Sequence, residues 1–306
     1  MERMYFIGVD TSGSQIRHLF PRWAQMLGVE AELVGLDIPL DAEPGAFRRA
    51  LEELRQDPQA RGALVTTHKV SVYRHAGASF SALDEWSELC GEVSCIAKRG
   101  DRLLGWAKDP ITSWRAFVDI GGADYFSRHP ASAVACLGAG GSGTAFSARL
   151  LQLDQPPARI VVTNRSAERL ESLRQVHARL ARDVPVEYQA VGSAEDNDAI
   201  VSSLPAHSLV VNATGLGKDR PGSPISNAAR FPQAGIAWEF NYRGQLEFLA
   251  QARLQAREQD LRMEDGWRYF LYGWTSHIAE VFELEMDEQR FDALAAAAEP
   301  LRAGSG

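Results

Sequence analysis

The run Val134-Ala135-Cys136-Leu137-Gly138-Ala139-Gly140-Gly141-Ser142-Gly143 joins an apolar stretch to a glycine loop, and Thr144 to Leu153 follows with helix-forming residues. This layout suits the pyrophosphate of a dinucleotide. The first glycine makes the tight turn, and the second lets backbone N–H groups approach the phosphates. The third lets the helix start lie close to the strand, aiming its positive dipole end at the anion. About twenty residues on, Ile160-Val161-Val162-Thr163 reads as the next strand. The carboxylate that would accept hydrogen bonds from a ribose 2′-OH is missing at its end. Asn164, Arg165 and Ser166 stand there, with Arg169 one helical turn later. Two guanidiniums and a hydroxyl suit a 2′-phosphate, so the spacing predicts NADP as the cofactor. The alternative is that Arg165 and Arg169 are solvated charges at a helix start, pairing with Glu168 or Glu171.

Two further segments carry groups able to do chemistry. Val65-Thr66-Thr67-His68-Lys69 ends one strand and opens a helix, and Gly105-Trp106-Ala107-Lys108-Asp109-Pro110 ends a hairpin. Side chains at strand ends of a first domain project toward a cleft, where a substrate can meet a coenzyme carried by a second domain.

The elements that must position these residues alternate as strand and helix, the sign of parallel sheets with crossover helices. In the first region the spacing predicts strands at 4–9, 31–36 and 62–66, helices at 16–27 and 46–55, a helix-loop stretch over 69–89, and a hairpin over 93–106. In the second it predicts the glycine loop, strands at 160–163, 186–191, 209–212 and 236–240, and helices at 167–182, 245–259 and 267–284. The fold class is α/β with two domains and a cleft between them. Residues 1–112 form a substrate-binding and catalytic domain with a mainly parallel sheet, and a C-terminal helix within 260–290 returns to it. Residues 113–259 form a Rossmann-type NADP-binding domain. The Ala/Gly/Ser-rich residues 291–306 read as a frayed tail.

Composition narrows the partners. The chain has 306 residues, 45% hydrophobic and 24% charged, as expected of a globular protein with an ordinary core. A net charge of −8 argues against nucleic acid or an anionic membrane surface as partner. No apolar run reaches the length of a membrane span, and Met1-Glu2-Arg3-Met4 is not followed by a secretory segment. Cys90, Cys95 and Cys136 show neither paired nor metal-ligand spacing, so no metal is expected and a reduced, cytoplasmic compartment is favoured. The expected partner is a small molecule, with the chain a monomer or homodimer.

These segments, in this order, resemble the shikimate/quinate dehydrogenase family. Val65 to Lys69 resembles its Thr-x-Pro-His-Lys segment, Gly91-Glu92-Val93-Ser94 its Gly-Ala-Val-Asn-Thr segment, and Gly105 to Asp109 its Gly-x-Asn-Thr-Asp segment. Asn164-Arg165-Ser166 with Arg169 is similar to its Asn-Arg-Thr clamp, and Asn212-Ala213-Thr214-Gly215-Leu216-Gly217 to its nicotinamide-side Asn-Ala-Thr-Ser-x-Gly loop. The resemblance runs from about residue 5 to 285. It implies Lys69 and Asp109 as the catalytic pair. It also implies a coenzyme site of Gly138, Ala139, Gly140, Gly141, Ser142, Gly143, Asn164, Arg165, Ser166, Arg169, Ala213, Thr214, Gly215 and Gly266. Oxidising an alcohol by hydride loss requires removing the hydroxyl proton, and a desolvated lysine with a lowered pKa can take it. Asp109 would orient that lysine, while His68 reads as a packed structural residue.

The resemblance also shows departures. In the first loop either Ser12 and Ser14, or Ser14 with Ile16, match the family's Ser-x-Ser pair, and Arg17 follows. Arg17 reads either as a grip for a substrate carboxylate or as a solvated charge. Ser94 and Ala107 stand at two asparagine positions, Val65 at a threonine and Gly273 at a late glutamine. The tyrosine of the Asp-x-x-Tyr-x-Pro segment reads as Asn241, with Tyr242 beside it. A site that has lost several such partners rejects the original ligand strongly. Thr66, Thr67, Ser94, Tyr242, Tyr272 and His277 are candidates for a different lining, and Trp267 and Trp274, seven apart, read as core. The expected activity is reversible NADP-dependent oxidation of a ring hydroxyl on a carboxylated alicyclic compound other than shikimate. The alternatives are a non-catalytic NADP or metabolite sensor of this fold, or an authentic shikimate dehydrogenase with a rearranged pocket.

Overall fold

The computed structural model describes residues 1–180, 182–218 and 220–303. The chain forms two compact units, one of Met1–Asp109 with the chain from Leu271 onward, the other of Pro110–Phe270. The division falls at Asp109/Pro110 rather than after residue 112, and the return begins at Leu271 rather than at 260.

The first unit begins with β1 (Glu2–Gly8), α1 (Ile16–Leu27), β2 (Ala31–Asp37), α2 (Pro44–Gln56), β3 (Ala60–Val65) and α3 (Lys69–Ala76). There follow β4 (Ala82–Leu83), α4 (Glu85–Cys90), β5 (Cys95–Arg99) and β6 (Arg102–Trp106). In α1 the buried Ile16, Leu19, Phe20, Trp23 and Ala24 recur at helical spacing, giving one apolar stripe. Helix α2 starts where Glu43 accepts a bond from Gly45 N–H and Pro44 supplies a preset φ. It buries Phe47, Leu51 and Leu54 in one core with Ile7, Ala63 and Val65. The strands pair in the order β2-β1-β3-β5-β6-β4. β1 runs parallel to β2 and β3, whereas β5 is antiparallel to β3 and β6. Parallel register brings the carboxyl ends of β1, β2 and β3 to one edge, since Ile7 lies opposite both Leu36 and Val65. The loops that follow them therefore gather there.

The second unit starts at Pro110, one residue into α5 (Asp109–Gly121), and goes on with α6 (Tyr125–Arg128), β7 (Ala133–Leu137), α7 (Gly141–Leu151), β8 (Arg159–Asn164) and α8 (Ala167–Ala178). It continues with β9 (Val186–Ala190), α9 (Ala194–Ser202), β10 (Leu209–Asn212), β11 (Ile236–Glu239), α10 (Glu247–Gln255) and β12 (Arg262–Glu264). The parallel order is β12-β11-β10-β7-β8-β9. Strand order reverses between β7 and β10, so a ligand crevice opens beyond their carboxyl ends. Strands β7 and β10 are buried along their whole length, as strands covered on both faces must be. Helix α8 ends at Ala178 rather than 182, and residue 181 lies outside the described residues.

The chain closes with α11 (Trp267–Phe282) and α12 (Glu288–Ala303). The expectation of a frayed tail from 291 is corrected here. Phe291, Leu294, Ala295 and Ala298 are buried at helical spacing, Phe291 stacks on Tyr272 with centroids 3.9 Å apart, and Trp23 Nε1 donates to Leu294 O at 2.9 Å. Alanine-rich composition hid an amphipathic stripe. Residues 304–306 of that expectation lie outside the described residues. No helix among the described residues is long and apolar enough to cross a membrane.

Candidate functional site

Lys69 opens α3 directly beyond β3, and Asp109 opens α5 beyond β6. Both belong to the first unit. The turn before Asp109 is fixed by two side chains. Asp84 accepts from Ala107 N at 3.1 Å, and Ser94 Oγ accepts from Lys108 N at 2.9 Å. Asp109 thereby sits at a helix N-terminus, where the peptide dipoles favour a carboxylate. Lys69 Nζ donates to Asp109 Oδ2. The amine side chain is 19% exposed and the carboxylate 8%, so water screens the pair weakly.

Sequence reasoning missed Glu92. It is 1% exposed, and its Oε1 has no hydrogen-bond partner among the described residues. Burial, offset in part by Lys69, pushes its carboxyl up to about 7. The signal was present: an acid beside Val93 in a segment otherwise bound for the interior, where the resembling family segment has alanine. Glu92 also corrects the expectation for Lys69. Burial alone would lower the amine's pKa, but Asp109 and then Glu92 outweigh it and hold Lys69 above the ordinary lysine value. The resting group is an ammonium.

His277 on α11 is 3% exposed. Its Nδ1 faces Gly273 O, an acceptor only, so Nδ1 carries the proton and Nε2 is a bare acceptor. Nε2 has no partner among the described residues. Burial drives its pKa down to about 4, with Asp109, Lys69 and Lys108 within electrostatic reach, so the ring is neutral. A Cβ at Gly273, the late glutamine position, would meet open space.

The other expected substrate residues divide. Thr66 Oγ1 donates to Ile7 O at 3.3 Å at the carboxyl edge of the sheet, and Thr67 beside it is exposed. Ser12 is exposed and turned onto Asp10 Oδ1, while Ser14 is half-buried before α1. Arg17 folds over the same loop. Its Nε donates to Thr11 O at 3.1 Å, and it makes no ion pair among the described residues. Ser94 is corrected: it is fully buried, and its hydroxyl bridges Lys108 N and Trp106 O, so it holds the turn rather than facing a ligand. Ala107 is buried too. Tyr272 is spent on Phe291. Tyr242 belongs to the second unit, where it packs on Phe270 and Trp267 with centroids 4.4 and 5.7 Å away. His68 is buried and bonded to Ile38 O at 2.7 Å, a structural role.

In the second unit the glycine loop follows β7 into α7. Gly138 has φ +119°, which other residues rarely adopt. A Cβ on Gly143 would stand 2.1 Å from Gly138 O, so only glycine lets the helix start pass there. At Gly140, by contrast, a Cβ meets nothing within 4 Å. That open side lies at the N-cap of α7, where the first-turn N–H groups of Gly141, Ser142 and Gly143 have no carbonyl four residues back. At the end of β8, Asn164 Oδ1 accepts from Ala139 N at 3.4 Å, tying strand end to loop. Ser166 caps α8 by accepting from Arg169 N. Arg165 and Arg169 are exposed and make no ion pair among the described residues, since Glu171 pairs with Arg174. Open backbone donors plus two available guanidiniums fit a dinucleotide with a 2′-phosphate.

The loop after β10 is held by a network whose centre, Glu239, was also missed. Buried at the end of β11, Glu239 accepts from Asn212 Nδ2 at 2.5 Å, Asn241 N at 2.8 Å and Asn241 Nδ2 at 2.7 Å. Burial pushes its pKa up to about 8 against these donors. Asn212 Oδ1 in turn receives Thr214 N and Thr214 Oγ1, and Asn241 Nδ2 reaches Thr214 O. Ala213 and Thr214 are thereby set against Gly138, and Gly215 is exposed at the loop tip. Gly266 is buried, and a Cβ there would lie 2.0 Å from Phe240 O, so close chain packing explains this glycine. A lone acid closing the apolar run Ile236-Ala237-Trp238 was the available signal.

No family model matches the chain. Over 229 residues it is 30% identical to the shikimate dehydrogenase (NADP(+)) of Streptococcus gordonii, covering 74% of this chain and 73% of that protein. Among solved structures it is similar to shikimate 5-dehydrogenase from Thermus thermophilus in complex with NADP(H) and shikimate. There the TM-score is 0.71 at 22% identity, over 97% of this chain and 100% of that one. It is similar also to the ligand-free 5-ketofructose reductase of Gluconobacter, with TM-score 0.72 and 19% identity over 98% of each chain. At these identities the structural likeness concerns the fold.

Proposed function

Because the chain belongs to the shikimate dehydrogenase family, we propose that it oxidises a ring hydroxyl of a carboxylated alicyclic compound, reversibly, with Lys69 as the proton-transfer group. It is an NADP-dependent oxidoreductase acting on CH–OH groups. The single observation that carries the assignment of Lys69 is its weakly screened pairing with Asp109 at the head of two helices.

When bound, NADP supplies the hydride acceptor or donor at its nicotinamide. Arg165 and Arg169 would hold the 2′-phosphate, and the amides opening α7 the pyrophosphate. In the reducing direction the Lys69 ammonium gives its proton to the carbonyl oxygen and Asp109 keeps the amine in place. In the oxidising direction neutral Lys69 takes the hydroxyl proton and becomes the ammonium, which then returns the proton to solvent. The raised pKa of Lys69 makes the resting site ready for reduction and places oxidation at alkaline pH.

Two observations support a substrate other than shikimate. Both positions where the family has asparagine, Ser94 and Ala107, are closed inside the fold. His277 Nε2 instead offers a buried acceptor suited to a substrate hydroxyl. Arg17, without an ion pair, supports a carboxylate on the ligand. The test is a panel of shikimate, quinate, their keto forms and their amino analogues, followed by NADPH absorbance. Turnover of a ring acid in preference to shikimate is expected. Preference for shikimate would overturn the substrate reading, and no turnover of any member would overturn the activity on ring acids.

A further inference from the structure

A carboxylate taken out of water needs donors or a counter-charge. Glu92 has neither in direct contact. Its Oε1 is unpartnered and it makes no ion pair among the described residues. Its place is nevertheless fixed from both sides. Val93 N donates to the Lys69 carbonyl at 3.1 Å, and Ser94 Oγ accepts from Lys108 N at 2.9 Å. The segment is thus bolted to the residue bearing the amine and to the residue preceding that amine's carboxylate. The charged groups that act on it are Lys69 from α3, Asp109 from the start of α5 and Asp84 from the cap of α4. Lys69 is the one cation in that group.

We propose that Glu92 acts through Lys69 as the second negative charge of the proton-transfer centre, holding the amine as an ammonium and setting the pH at which it can accept the substrate's proton. Glu92 is a positioning residue, since it reaches the chemistry by way of Lys69. The inference rests on the reading of Lys69 as the proton-transfer group. Its sign follows from the charges. Without Glu92, only Asp109 opposes burial, and the ammonium becomes easier to deprotonate.

The chain has four lysines, Lys69, Lys98, Lys108 and Lys218, so lysine labelled with ¹³C at Cε gives a spectrum simple enough to assign by loss of one signal in Lys69→Arg. The full-length protein is titrated without coenzyme or substrate from about pH 7 to about pH 12, past the ordinary lysine value that Lys69 exceeds. In Glu92→Gln the Lys69 midpoint is expected to fall by about one pH unit relative to wild type. Superimposed curves would overturn the proposal. If Glu92→Gln does not fold, Glu92→Met removes the same charge without adding an amide to satisfy, and its titration decides. A second readout is the pH profile of NADP reduction by the alcohol substrate, whose onset moves to lower pH in the variant. A merely structural role would change the melting temperature and leave the Lys69 midpoint where it was. Because the titration uses no substrate, its failure leaves the dehydrogenase reading standing, and an inactive substrate panel leaves the titration result standing.

Discussion

Lys69 and Asp109 lie 40 residues apart in sequence and meet through Nζ and Oδ2, the amine from the first turn of one helix and the carboxylate from the first turn of another. Helix dipoles favour the carboxylate in such a place and oppose the ammonium. The lysine therefore depends on its acidic neighbours. Asp109→Asn is expected to lower the pKa of Lys69 and to reduce kcat by about 10-fold or more with KM less affected. A change confined to KM would contradict that role.

The coenzyme's 2′-phosphate is assigned to the exposed Arg165 and Arg169 beyond β8. Arg165→Asp should weaken NADPH binding by about 10-fold or more while leaving NADH within about twofold, measured by quenching of tryptophan fluorescence. Equal losses for both coenzymes would remove the arginine clamp from the account.

Two glycines of one loop should behave differently. Gly143→Ala forces a Cβ to within 2.1 Å of Gly138 O and should lower the melting temperature and abolish coenzyme binding together. Gly140→Ala meets no protein atom within 4 Å at φ −81°, so it should fold as wild type does. It should still lose about 10-fold in NADPH affinity, because the methyl occupies the side from which the phosphates approach. Calorimetry on both variants checks the pair, and a Gly140→Ala protein with full affinity would place the phosphates elsewhere.

Much of this was legible in the sequence because parallel strands write themselves as unbroken apolar runs. Val134 to Leu137 and Leu209 to Val211 announced the sheet, and the glycine loop announced which strand came first. Lys69 and Asp109 were legible only through their resemblance to a known order of segments. Glu92 and Glu239 were not read, since a single acid at a strand end looks like a surface residue until its burial is known. Ser94 misled for the opposite reason: a serine near a catalytic segment suggests a ligand, whereas here its hydroxyl closes a backbone turn. Helix α12 was lost to its alanines, whose stripe is too weakly apolar to stand out.

Glu239 carries a pH dependence of stability. Its folded pKa, pushed up to about 8 by burial, exceeds its ordinary value of 4.5. A group raised in this way contributes stability below its ordinary value, and that contribution is lost as pH rises toward about 8. The melting temperature of wild type is therefore expected to fall across this window more steeply than that of Glu239→Gln. Parallel curves would show that Glu239 ionises in the fold as it does in water.

The most direct measurement compares wild type with Lys69→Ala in two experiments on the same preparations: NADPH consumption with the best keto acid of the panel, and NADPH binding by fluorescence. Turnover reduced by about 10²-fold or more, with coenzyme affinity unchanged, is the expected result. Undiminished turnover in Lys69→Ala would contradict the assignment of proton transfer to this amine.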